Sequence, residues 1–96
     1  MTPRILFTLS AAALLAGCSN SYTPAAGTPP GKIYVDACSG CHNSVKQFAL
    51  SANMANVEAV SAKIGKGGSS MPAFPNIQGE ALAALSQYVV ENSVRK

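Results

Sequence analysis

The sequence predicts a small all-α domain, about three short helices closed around something other than its own side chains. Three observations carry that expectation. From Gly31 to Lys96 there are three patches of apolar residues at helical spacing and little β signal. A stretch of this length is too short to build a comfortable core unaided. The chain also holds three cysteines, an odd number that no closed set of intramolecular disulfides accounts for.

Composition narrows the class further. Hydrophobic residues make up 48% of the chain and charged ones 11%, which excludes a disordered polar polypeptide. The net charge of +3 is too weak and too scattered for a nucleic-acid partner.

The N-terminus reads as an export signal. Arg4 precedes an apolar run from Ile5 to Ala16 that ends at Gly17. The run falls short of the ~18 apolar residues a membrane-spanning helix needs, and its basic start and small-residue end suit a secretory signal peptide over residues 1–17. Leu15-Ala16-Gly17-Cys18 resembles the lipobox of bacterial lipoproteins. The resemblance implies cleavage before Cys18 and lipidation of its thiol and new N-terminus. The mature chain would then be held on the periplasmic face of a bacterial membrane, since several acyl chains anchor firmly where one is marginal. Ser19 in place of an Asp leans the location toward the outer membrane. Arg4 leaves with the signal, so the mature charge falls from +3 to +2.

Residues 18–30 follow as a lipidated cysteine and a flexible tether. Pro24, Pro29 and Pro30, with Gly27 and several hydroxyl residues, describe a segment with no face to bury. The domain proper occupies residues 31–96. Lys32 to Ala37 forms a first helix that runs into a cysteine motif, with Pro29-Pro30 suiting its start. Val57, Val60 and Ile64 mark a second helix, capped by Asn56, with Lys63 in its last turn and Gly65 as terminator. From Glu80, the residues Ala81, Leu82, Leu85, Tyr88 and Val89 make the apolar stripe of a third. Glu80 sits at the positive end of that helix's dipole.

The chemistry is concentrated in Cys38-Ser39-Gly40-Cys41-His42. On one helical turn both sulfurs face the same side and His42 follows beneath them. This Cys-x-x-Cys-His run is the attachment sequence of a covalent c-type haem, with two thioether bonds and an imidazole on the iron. Three other readings compete with it. A structural zinc site needs four protein ligands, and a thioredoxin-like pair belongs beside a βαβ pattern that is missing here. A plain Cys38–Cys41 disulfide would leave His42 and the missing core unexplained. With haem attached the cysteine arithmetic closes, one for lipid and two for the cofactor. Met71 and Met54 both offer a thioether as second axial ligand, and the iron could also lack one. Met71 is the better placed, because it lies in an interhelical loop before Pro72, which favours an extended approach.

From Gly31 onward the chain resembles a class I monohaem cytochrome c in a lipoprotein-anchored form. Gly31 and Tyr34 stand where that family places a small residue and an aromatic against its last helix. Gly65 to Pro75 looks like its glycine-rich approach to the methionine ligand, and Tyr88 matches the usual aromatic of the final helix. One departure is plain: no proline lies between Asn43 and Ser70, so the carbonyl that orients His42 is not identified.

The resemblance implies an electron carrier, not an enzyme, with no small-molecule substrate. His42/Met71 ligation fills the iron, and the thioether raises its potential. An apolar lining of Ile33, Val57, Val60, Ile64, Phe74, Leu82, Leu85 and Val89 would raise it further. Expected partners are redox proteins, whether cytochrome complexes, an oxidase or a dehydrogenase, docking over Lys32, Lys46, Lys63 and Lys66. Two other roles remain open. One is a dedicated electron-transfer subunit of a larger oxidoreductase. The other is a haem-based ligand sensor, which would require Met71 to be off the iron.

Overall fold

The computed structural model describes residues 19–96, so the signal peptide and Cys18 lie outside the described residues. Four α-helices are present among them: α1 (Pro30–Ala37), α2 (Ser39–His42), α3 (Val57–Lys66) and α4 (Gly79–Asn92). None is long and apolar enough to cross a membrane. The architecture is the expected small all-α one, with short 3₁₀ turns at Val45–Gln47 and Ala52–Met54.

Helix α1 starts two residues earlier than its apolar pattern suggests. Pro30 occupies the first helical position, where its missing N–H costs nothing. The helix stops at Cys38, and α2 continues as a separate single turn, with the His42 N–H donating to the Cys38 carbonyl at 2.9 Å. Asn56 caps α3 as expected, its side-chain oxygen accepting from the Ala59 N–H at 2.8 Å. The expected terminator was wrong by two residues. Gly65 lies inside α3, and Gly67, at φ 74°, ends it. A helix is ended by the residue that can turn left-handed and donate back, and Gly67 N–H does so to the Lys63 carbonyl at 2.8 Å.

Helix α4 packs on both α1 and α3. Ile33, Tyr34, Val60, Ile64, Phe74, Ile77, Leu85 and Val89 are buried there, joined by Val45 and Leu50 from the loop after the cysteine motif. Gly31 faces Tyr88 across the α1–α4 contact, where a β carbon would lie 3.4 Å from the Tyr88 hydroxyl, an ordinary van der Waals distance. A polar contact also joins α3 to α4, where Ser61 donates to the fully buried Ser86 at 2.7 Å. At the far end of α4 the chain returns to the loop. Strand β1 (Ala49–Leu50) pairs in parallel with β2 (Val94–Arg95), in register Ala49 with Val94 and Leu50 with Arg95.

The segment before α1 differs from the free tether the composition suggests. Ser19 forms a parallel bridge with Ala73, and Tyr22 packs half-buried against the core. Proline and glycine content says nothing of a lone aromatic that packs on the core.

Candidate functional site

Two cavities open on the motif-bearing side of the fold, of about 310 and about 330 Å³. Cys38, His42, Ser70 and Met71 line both. The first is completed by apolar groups from α1, β1, α3, α4 and the loops between them, among them Tyr34, Phe48, Leu50, Met54, Val60, Ile64 and Val89. Cys41, Ala37, Pro72, Phe74 and Asn20 complete the second. Thus the fold brings together the four residues singled out in the sequence: Cys38, His42 and Met71 line both recesses and Cys41 lines the second.

Helix α2 carries Cys41 and His42, and Cys38 is the residue that caps its start. Cys41 is exposed, Cys38 is half-buried, and both are free thiols. Burial, and then the charge of nearby Cys41, push the Cys38 thiol up to about 11, so it stays protonated at neutral pH. The His42 ring stacks on Phe48, with centroids 4.3 Å apart and planes at 27°. After His42 the backbone turns sharply at Asn43, which has φ 62° and ψ −160°. Its carbonyl accepts the Tyr34 hydroxyl at 2.9 Å.

Met71 owes its position to backbone packing. The Gly68 N–H donates to the Met71 carbonyl at 2.9 Å, and the Phe74 N–H donates to Ile64 at 2.8 Å, tying the loop to the end of α3. A β carbon on Gly67 would lie 2.7 Å from both the Met71 oxygen and the Ala73 nitrogen, so only glycine fits.

Residues 25–89, more than half of the chain, match the family model described as cytochrome c oxidase, cbb3-type, subunit III. The chain belongs to this family of c-type cytochromes. No curated protein and no solved structure matches it. This cytochrome binds one haem c covalently and works by haem-based electron transfer.

The residues present fit that group. Two thiols, an imidazole and a thioether converge on apolar recesses of the size of ordinary ligand sites. The expected lining needs adjustment. Val60, Ile64, Phe74 and Val89 face the cavities, whereas Ile33 and Leu85 are buried without lining either. Leu82 is a half-buried residue packed on the core, and Val57 is 38% exposed, because it opens α3 on its solvent side. Met54 lines the first cavity together with Met71. Of the four lysines, Lys63 reaches the cavity and Lys32 is paired with Asp36 at 3.1 Å. Lys96, absent from the sequence expectation, joins Lys63 there through the β1–β2 pairing. Phe48 was also missed. Its only sequence signal was an aromatic six residues after the motif histidine, which no periodicity marks.

Proposed function

We propose that this cytochrome is a lipid-tethered carrier of single electrons between redox proteins at the periplasmic face of a bacterial membrane. In this reading Cys38 and Cys41 hold the haem by thioether bonds, and His42 and Met71 are the axial ligands. Residues 1–17 are removed, Cys18 carries lipid, and the segment that follows it is already attached to the haem domain at Ser19–Tyr22, so the anchor lies close to the domain. The supporting observation is that Met71 and His42 line the same two recesses, with both cysteines beside them.

Bound haem c supplies a one-electron iron centre whose charge changes without bond making at the protein. The chain's own residues set the conditions. Phe48 fixes the imidazole plane from one side, and the Gly67–Phe74 loop fixes the thioether. Val60, Ile64 and Val89 exclude water, which disfavours the more highly charged oxidised state. Two ligands held this firmly keep rearrangement on electron transfer small.

The test is direct. Purified protein should be red, with a mass equal to the lipidated mature chain plus one haem. A colourless product from a host competent in haem attachment would refute the site. Cys18→Ala should move the protein from membranes to the soluble periplasmic fraction; continued sedimentation with membranes would refute the anchor.

A second reading is favoured by the description of the matched family, an oxidase subunit. Here the same site would feed electrons to one catalytic partner. Stable co-purification with an oxidase after detergent extraction would select this reading, and isolation as a free monomer the first.

A further inference from the structure

The segment that composition marks as a free spacer is attached to the loop that carries Met71. Beside the Ser19–Ala73 bridge, the Asn20 N–H donates to the Ala73 carbonyl at 2.7 Å. The Asn76 side-chain amide donates to the Ser21 carbonyl at 3.2 Å. Tyr22 then turns inward, packs on the core, and its hydroxyl donates to Asp36 of α1 at 3.3 Å. The Asn20 side chain closes the turn by accepting from the Tyr22 N–H at 2.8 Å. Asn20 also lines the second cavity, with Met71, Pro72 and Phe74.

We propose that Asn20–Tyr22 form a strap that positions the methionine loop from outside and so helps to keep the Met71 thioether at the iron. The inference rests on Met71 being the axial ligand. The loop's inner edge is held by α3 through Gly67, Gly68 and Phe74. On its outer edge, two residues beyond Met71, the Ala73 carbonyl takes its backbone hydrogen bond from the strap, while the Ala73 nitrogen lies against Gly67 on the inner side. A tethered ligand competes with dissolved ones through its effective concentration, which falls when the tether gains freedom. The strap limits that freedom. Tyr22 is its anchor, because it fastens the segment to α1, the helix that leads into the cysteine motif.

The experiment uses the haem-loaded full chain and imidazole as competing ligand for the oxidised iron. Asn20→Pro deletes the N–H that Ala73 accepts, and Asn20→Ala keeps it. Losing one hydrogen bond corresponds to about fivefold, so Asn20→Pro should bind imidazole about fivefold more tightly than the parent. Tyr22→Ala should do the same by releasing the strap without touching the loop, while Tyr22→Phe stays near the parent. The Asn20 amide should also be protected from hydrogen exchange in the parent. Unchanged imidazole affinity in both Asn20→Pro and Tyr22→Ala overturns the strap, as does an Asn20 amide exchanging at the rate of an unstructured chain. Failure of the ligand assignment looks different: the parent would lack the methionine–iron charge-transfer band and bind imidazole as readily as Met71→Ala, which overturns both.

Discussion

Tyr34 donates its hydroxyl to the main-chain carbonyl of Asn43 at 2.9 Å, so one buried side chain of α1 reaches across the whole Cys38–His42 turn and fastens its far end. The contact spans nine residues, and between its ends lie both thiols and the imidazole. Tyr34→Phe keeps the ring against Tyr88 and removes only the bond. Asn43 is exposed and can turn to water, so the loss should be near the mean for one hydrogen bond, about 1 kcal/mol. For a domain this size that lowers the melting temperature by roughly 4–8 °C. Calorimetry of parent and variant checks it.

The same tyrosine sets an alkaline limit. Burial first, then the Cys38 charge while that thiol is free of haem, and then Tyr88 push Tyr34 up to about 12 from an ordinary value near 10. With Cys38 in thioether linkage, burial remains the leading cause. A raised value in the fold means that the neutral phenol is favoured there. Its stabilising contribution is therefore complete below about pH 10 and is lost as pH climbs toward 12. Denaturant titrations across this window should show the parent losing stability faster than Tyr34→Phe. Parallel curves would exclude Tyr34 as the group responsible.

Asn43 holds a backbone conformation, φ 62° with ψ −160°, that glycine alone adopts without strain. Asn43→Gly should stabilise the protein by about 1 kcal/mol, the relieved strain exceeding the added chain entropy. Asn43→Ala should do the opposite, since it keeps the strain and loses a tolerant side chain. Chemical denaturation of the two variants gives the sign directly.

Two glycines at positive φ separate strain from crowding. At Gly79, φ 61°, a β carbon would meet nothing within 4 Å, so Gly79→Ala should cost only the strain, roughly 1–2 kcal/mol. At Gly67 the added carbon would collide with the backbone of Met71 and Ala73, so the loop must move. Gly67→Ala should therefore cost more stability than Gly79→Ala and should also weaken the methionine–iron charge-transfer band, which Gly79→Ala leaves intact. Equal effects of the two on that band would show that the loop tolerates displacement.

How far the molecule was legible in its sequence follows from the range of each interaction. The helices at Val57–Lys66 and Gly79–Asn92 announce themselves through side chains three and four residues apart, and the Asn56 cap through its own position. That Cys38, Cys41 and His42 belong to one place was legible because they fall within five positions, and Met71, picked from its loop and proline, lines the same recesses. What was not legible depends on distant partners. Phe48 stacks on His42 because β1 pairs with the chain's last residues, a contact between segments far apart in sequence. The Gly65/Gly67 error has a local cause: both glycines could end a helix, and the choice falls to Gly67 because Met71 and Ala73 crowd it. Tyr22 was hidden by the prolines around it.

The choice between the two methionines gives the last prediction. Met71 lines both recesses and is carried on a loop tied to α3, whereas Met54 lines only the first and closes a 3₁₀ turn. Met71→Ala removes a soft neutral ligand that favours the reduced iron, so the potential should fall, on the order of 0.2 V within the ~0.8 V range that axial ligands span. The reduced variant should bind carbon monoxide and the reduced parent should not. Met54→Ala takes away packing alone. It should cost roughly 2–3 kcal/mol or less, because the residue is half-buried and part of the void can fill with solvent. Its charge-transfer band and its indifference to carbon monoxide should match the parent. If Met54→Ala opens the iron and Met71→Ala does not, the axial assignment is reversed, and the Gly67–Phe74 loop loses its role as ligand support.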